Sequence, residues 1–171
     1  MVDEFLQPVI IIVDDALQNH RRRNGRQSEK KYTAAAPSAV TNERTVMREK
    51  IFAYVKKTYG VEPDYPFSIA PGYPVLRHTD NRKWFALFMD VPRNKLGLKG
   101  EERVDIVNVK TGDVLLADWL AQQEGFFPGY HISRGTWVSV LLDGTVPEEE
   151  IFHWIDVSFA VTAPKKRQGK P

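Results

Sequence analysis

The sequence predicts an α+β domain built on an antiparallel sheet with flanking helices, in the order α-β-β-β-α-β-β-α. Three observations carry this. An apolar residue recurs at every fourth position through Met47, Ile51, Val55 and Tyr59; the runs PVLRH and KWFALFMDV are separated by the turn-forming TDN; and RVDIVNVK alternates apolar with polar positions soon after. Strands that follow one another with no helix between them pair antiparallel, which argues against a parallel doubly wound sheet.

The chain begins with an extension. Residues 1–44 include FLQPVIIIV (Phe5 to Val13), an apolar run too short to span a bilayer and without the cationic flank of a signal peptide. The stretch NHRRRNGRQSEKKYTAAAPSAVTNERTV that follows mixes basic runs with small residues and has no sustained apolar period, so it is expected to be a mobile linker. PVIIIVDDAL is similar to the first strand and acidic pair of a receiver domain, but the chain continues into this basic stretch instead of the roughly hundred further residues such a domain needs. The domain is placed at residues 45–164 and a basic tail at 165–171.

Within the domain, the four-residue period predicts a helix from about Glu43 to Tyr59, stopped by Gly60. The proline-rich VEPDYPFSIAPGYP leads to the hairpin, and RVDIVNVK supplies the third strand after PRNKLGLKGEE, a long loop read as a candidate wing. DVLLADWLAQQ (Asp113 to Gln123) predicts a short packed helix with Thr111 as its cap. His131-Ile132 and TWVSVLL predict another strand pair. Pro147 followed by Glu148, Glu149 and Glu150 marks a helix start, where carboxylates meet the positive end of the helix dipole, and Ile151, Ile155, Ser158, Phe159 and Thr162 fall on one face.

With 171 residues, 42% of them hydrophobic and four tryptophans, one domain with a stable core is expected. The absence of cysteine removes disulfides, thiolate zinc sites and thiol nucleophiles, and fits a cytoplasmic protein. Net charge is +2 but unevenly spread: Arg21 to Lys31 and Lys165 to Lys170 are basic, whereas Met47 to Pro164 holds thirteen Lys and Arg against sixteen Asp and Glu, a net of −3. Inside the domain, Arg77 to Lys110 holds eight cations against five acids, and Asp113 to Asp156 holds Arg134 alone against eight. One end of the fold is therefore expected to present a positive field.

No two of the four histidines sit at ligand spacing, and neither a glycine-rich phosphate loop nor a nucleophile elbow occurs. No metal, no cofactor and no enzymatic activity are expected. The most informative stretch is GYHISRGTW, residues 129–137. As packing, Trp137 plugs the core beneath the last helix and His131 bonds across the turn. As a site, His131 and Arg134 offer phosphate donors beside a stacking edge of Tyr130 or Trp137. Arg77, Arg82 and Lys83, on the hairpin with His78 and Trp84, are the second candidate set, and the basic ends would add phosphate contacts without sequence preference.

From Arg48 to Lys165, the segments EKIFAYVKKTYG, VLRHTDNRKWFALFMDVP, VDIVNVK, FFPGYHISRGTWVSVLLDGTVPEEEI and IDVSFAVTAPK resemble, in this order, the MmcQ/YjbR-like family of small bacterial proteins. The YH-x-x-x-x-x-W arrangement and the closing D-x-S-aromatic helix are its most specific features. The resemblance implies a CyaY-like (frataxin-like), double-wing architecture and DNA as partner, by analogy of fold. Where relatives carry Asn-Lys after the histidine this chain has Ser133 and Arg134; where they carry Ser-Tyr it has Ser158 and Phe159. A frataxin-like fold also raises iron, but Arg44, Arg48, Lys50, Lys56 and Lys57 outnumber Glu43 and Glu49 on the first helix, the wrong sign for gathering cations. The alternative to DNA binding is a protein-interaction or small-ligand module using the GYHISRGTW corner as its pocket.

Overall fold

The computed structural model describes residues 39–132 and 135–164, with side chains from Val46 onward. The basic extension, the C-terminal tail, and Ser133 and Arg134 lie outside the described residues, so the expectations placed on them have no structural counterpart here.

The elements are α1 (Ala39–Tyr59), β1 (Val75–Arg77), β2 (Trp84–Pro92), a 3-10 turn (Arg93–Leu96), β3 (Arg103–Lys110), α2 (Val114–Leu120), β4 (Phe126–Pro128), β5 (Trp137–Leu141) and α3 (Glu148–Thr162). Their order is the expected one. The strands form one sheet in the order β1-β2-β3-β5-β4, every pair antiparallel.

Alternation along the strands divides the apolar residues between two cores. On one face Phe88, Val107, Val109 and Val140 meet Ile51 and Val55 of α1 and Ile151 and Ile155 of α3. On the other, Leu87, Met89, Ile106 and Leu141 are covered by coil: Phe67 and Ala70 from the proline-rich passage, Leu96 and Leu98 from the loop after β2, and Ile132 from the corner before β5. That loop is thus no projecting wing. Arg93 N donates to Glu102 O at 2.9 Å and closes its base, while its two leucines pack on the sheet.

Helix α1 starts four residues before the expected Glu43, because helix propagation adds a hydrogen bond per residue even where no apolar face is needed. It ends as expected at Gly60, whose φ of 68° suits glycine and whose N–H donates to Lys56 O. At the far end of the sheet, Arg48 pins α1 to β3: Nε lies 2.7 Å from Asp105 Oδ2 and Nη2 donates to Oδ1 at 2.9 Å.

Helix α2 is shorter than predicted, and its cap is Asp113 rather than Thr111. The Asp113 carboxylate accepts from Leu116 N at 2.8 Å, three residues on, while the Thr111 hydroxyl donates to Asp113 O.

The closing D-x-S-aromatic motif fastens α3 to its surroundings. Asp156 accepts from the hydroxyls of Tyr54 and Tyr59 on α1 at 2.8 and 2.6 Å. The Ser158 hydroxyl donates to Phe85 O at 2.5 Å and accepts from Lys110 N at 2.8 Å. Phe85 is an extra residue in β2, since Leu76 pairs with Ala86 while Arg77 pairs with Trp84. Its carbonyl leaves the ladder and Ser158 satisfies it. Phe159 stacks on Tyr59 at 3.8 Å between ring centroids.

Candidate functional site

Strand direction brings the end of β1, the start of β2, the end of β3, the end of β4 and the start of β5 to one end of the sheet. There, on the face opposite the helices, residues from four neighbouring strands line up. Arg77 of β1 pairs in register with Trp84 of β2, its guanidinium carbon 6.0 Å from the indole centroid. Lys110 of β3 pairs with Trp137 of β5, its Nζ 6.0 Å from that ring. Because Ala86 faces Val109, Trp84 and Lys110 are brought side by side just beyond that pair. The row reads cation, aromatic, cation, aromatic in sheet order. All four are half-buried, and Phe67 meets the Trp84 ring edge-on at 5.6 Å.

Beside this row, residues 79–83 form the hairpin tip. Asn81 holds it: its Oδ1 accepts from Lys83 N at 2.9 Å and its Nδ2 donates to Thr162 O at 3.1 Å at the end of α3. Arg82, at a left-handed φ of 59°, and Lys83 are both exposed. His78 does not belong with them. It is buried, with Nε2 2.9 Å from Thr162 Oγ1 and 3.1 Å from Phe159 O, and burial holds its pKa below the usual histidine value.

A cleft of about 410 Å³ opens between the hairpin and the end of α1, lined by Lys56, Gly60, Glu62, Asp64, Thr79, Arg77 and Arg82 among others. Asp64 sits between the arginines, its Oδ2 2.7 Å from Arg77 Nη2 and 3.5 Å from Arg82 Nη2. Lys56 pairs with Glu62 at 2.5 Å.

At the start of the GYHISRGTW corner, residues 130–132 form no strand, and Tyr130 and Ile132 pack on the second core. After Pro128 the ladder makes one more bond, Gly129 N to Trp137 O at 3.1 Å. Tyr130 N then donates to side chains, Ser139 Oγ at 2.8 Å and Asn108 Oδ1 at 3.3 Å, as the chain leaves the strand. Ser139 Oγ in turn donates to Asn108 Oδ1 at 2.6 Å, completing a buried polar triangle beneath the corner. Tyr130 and Ile132 turn to the core, and burial raises the Tyr130 pKa. His131, at φ 49°, lies edge-on to the Tyr130 ring at 4.1 Å. Trp137 is not beneath the last helix: it alternates with Ser139 and Leu141 as expected, but that face is the helix-free one, and Val138 and Val140 are the residues that meet the helix-side core.

Of the residues singled out from sequence, Arg77 and Trp137 join the row, Arg82 and Lys83 lie beside it on the hairpin tip, and Tyr130 and His131 form the corner that leads into Trp137. Arg134 lies outside the described residues. Lys110 and Asp64 were missed, since nothing local marks them: one is defined by its partner on β5, the other by the two arginines that converge on it. No group of three or more His, Asp or Glu positioned to hold a metal ion occurs among the described residues. Among the same residues no helix is long and apolar enough to cross a membrane.

The profile of the YjbR family matches residues 56–161, which span the hairpin, the sheet and α3. The chain belongs to the YjbR family. This YjbR-family chain is 45% identical over 115 residues to the uncharacterized protein YyaQ of Bacillus subtilis, an alignment covering 67% of this chain and 97% of YyaQ. It is similar in structure to a Pseudomonas syringae protein solved by crystallography, with a TM-score of 0.65, 39% identity, and coverage of 68% of this chain and 98% of that one. A Deinococcus radiodurans protein with a DUF419 domain, DR2400, shares the fold at a TM-score of 0.51 and 20% identity, over 72% of this chain and 81% of its own.

Proposed function

We propose that this YjbR-family chain is a non-enzymatic DNA-binding protein that takes single-stranded DNA on the helix-free end of its sheet. The observation that carries the reading is the row Arg77, Trp84, Lys110, Trp137, with each cation over the face of its cross-strand tryptophan. Half-buried aromatic rings on a sheet give bases a surface to stack on, and interleaved cations meet the phosphates between them. Arg82 and Lys83 extend the positive edge along the hairpin tip, and Tyr130 and His131 border it on the other side.

The small-ligand alternative is less well supported. Its pocket was expected at the GYHISRGTW corner, whereas the cleft lies between the hairpin and α1 and is lined largely by charged side chains, unlike the enclosed, mostly apolar pocket a small molecule favours.

The test is a titration of labelled oligo(dT) and of a duplex of equal length at several salt concentrations. Single strands are expected to bind more tightly. Lys110→Ala is expected to flatten the log-log salt dependence by about 0.7, one counterion contact on a single strand. Trp84→Leu, which keeps apolar bulk without the indole, is expected to cost about 1–3 kcal/mol of binding, the range for one stacked base. Absence of salt-sensitive binding at about 50 mM salt, where phosphate contacts are strong, overturns the proposal.

A further inference from the structure

We infer that Asp64 occupies the place of a nucleic-acid phosphate, holding Arg77 and Arg82 until an incoming phosphodiester displaces its carboxylate. The inference rests on the DNA-binding reading and adds a phosphate subsite, with its internal occupant, at the edge of the same surface.

Two arginines converging on one carboxylate form the arrangement that also receives a phosphate, since a guanidinium presents its N–H fork to either anion. Asp64 lies 2.7 Å from Arg77 Nη2 and 3.5 Å from Arg82 Nη2. The two contacts differ in strength: the Arg77 side chain is 15% exposed and already stands over Trp84, whereas the Arg82 side chain is 58% exposed and only at the limit of contact. Arg82 is therefore the cation most readily transferred to a ligand.

The backbone of Asp64 stays in place while the carboxylate moves. Its N–H donates to Val75 O at 2.9 Å and its carbonyl accepts from Val75 N at 2.8 Å, an isolated bridge on the free edge of β1. Rotation about the side chain swings the 42%-exposed carboxylate into solvent without breaking that bridge. The cleft of about 410 Å³ in front of it has room for a phosphate, and Thr79 and Lys56 stand on its walls. Arg77, which lines the cleft, also stands over Trp84, so a base stacked on that ring would carry its phosphate toward Arg77 and Arg82.

The experiment compares the wild-type chain, Asp64→Asn and Asp64→Asn/Arg82→Ala, using labelled oligo(dT) and, separately, pyrophosphate. The asparagine is isosteric and leaves the bridge to Val75 intact, and equal melting temperatures confirm the fold. Asp64→Asn is expected to bind oligo(dT) about fivefold more tightly, the upper end for releasing an exposed ion pair, and to steepen the salt dependence by about 0.7. Adding Arg82→Ala is expected to abolish the gain. Pyrophosphate is expected to shift the amide resonances of Gly60 and Thr79 at lower concentration in Asp64→Asn than in wild type. Equal oligonucleotide affinity and slope in wild type and Asp64→Asn overturn the inference and leave the DNA reading standing, as does a gain that survives Arg82→Ala. If no variant binds oligo(dT) while pyrophosphate still titrates Asp64→Asn more readily, the subsite stands and the DNA reading falls. No binding of either probe overturns both.

Discussion

The backbone N–H of Lys110 donates to the hydroxyl of Ser158 at 2.8 Å, so α3 supplies the acceptor for the last N–H of β3. The same hydroxyl donates to Phe85 O, across the bulge in β2. One side chain on the last helix thus sets the end of the sheet on which Trp84 and Lys110 stand.

Ser158→Ala leaves a buried carbonyl and a buried N–H without their partner. Each unsatisfied group costs about 1–3 kcal/mol, so a total loss of about 2–6 kcal/mol is expected in denaturant unfolding. Ser158→Thr restores the hydroxyl but adds a methyl group at a fully buried position. It is expected to recover only part of the loss.

Trp137→Ala separates the two placements of this residue. Beneath the last helix it would cost about 3–5 kcal/mol, the range for deleting a buried large aromatic. Half-buried over the second core, it is expected to cost about 1–3 kcal/mol, measured by unfolding in urea. Gly129→Ala tests the corner itself. A Cβ there would stand 2.8 Å from Ile132 Cγ2 and 3.0 Å from Trp137 O. The expected loss is about 1–3 kcal/mol, from overpacking against a backbone atom that cannot withdraw.

His78 links pH to stability. The Thr162 hydroxyl donates to Ser158 O, which turns its lone pairs toward His78 Nε2 and assigns the neutral ring's proton to that nitrogen. Burial lowers the folded-state pKa, so the unfolded chain binds the proton first as pH falls. Stability from this group is present above about pH 6.5, the unfolded value, and declines as pH falls through the folded one. Unfolding midpoints measured from pH 8 to pH 4 are expected to drop more steeply for wild type than for His78→Gln below about pH 6.5.

Tyr59 acts at the other end of the pH scale. Burial, then the hydrogen bond to Asp156, raises its pKa well above the usual tyrosine value, and Tyr54 shifts in the same direction for the same reasons. Stability from these hydroxyls is complete below about pH 10 and lost as pH rises toward the folded values. Tyr59→Phe is expected to lower stability at neutral pH by about 1 kcal/mol and to flatten the alkaline decline, followed by melting temperature between pH 8 and pH 11.

Much of the fold was legible because its signals are local. Gly60 at a left-handed φ ends α1 where the four-residue period stops, TDN sits in the turn between β1 and β2, and Ile151, Ile155, Ser158 and Thr162 are all buried on α3. The errors arose where a local signal met a distant competitor. Thr111 has the chemistry of a helix cap, but the carboxylate two residues on reaches the free N–H first. His131-Ile132 has the composition of a strand, but Tyr130 just before it is tied through its N–H to the distant side chains of Ser139 and Asn108, and the pair turns over the second core instead.

By itself the sequence determined the element order and the buried positions of α1 and α3, since each follows from side-chain chemistry and backbone preference within a few residues. Which tryptophan meets which cation was decided only by the tertiary structure. Lys110 faces Trp137 because β5 returns to lie against β3 and leaves β4 at the edge, a register set by packing both faces of the sheet at once. Asp64 reaches Arg77 and Arg82 for a similar reason: its segment bridges to the free edge of β1, where a one-residue slip would turn the carboxylate away from both.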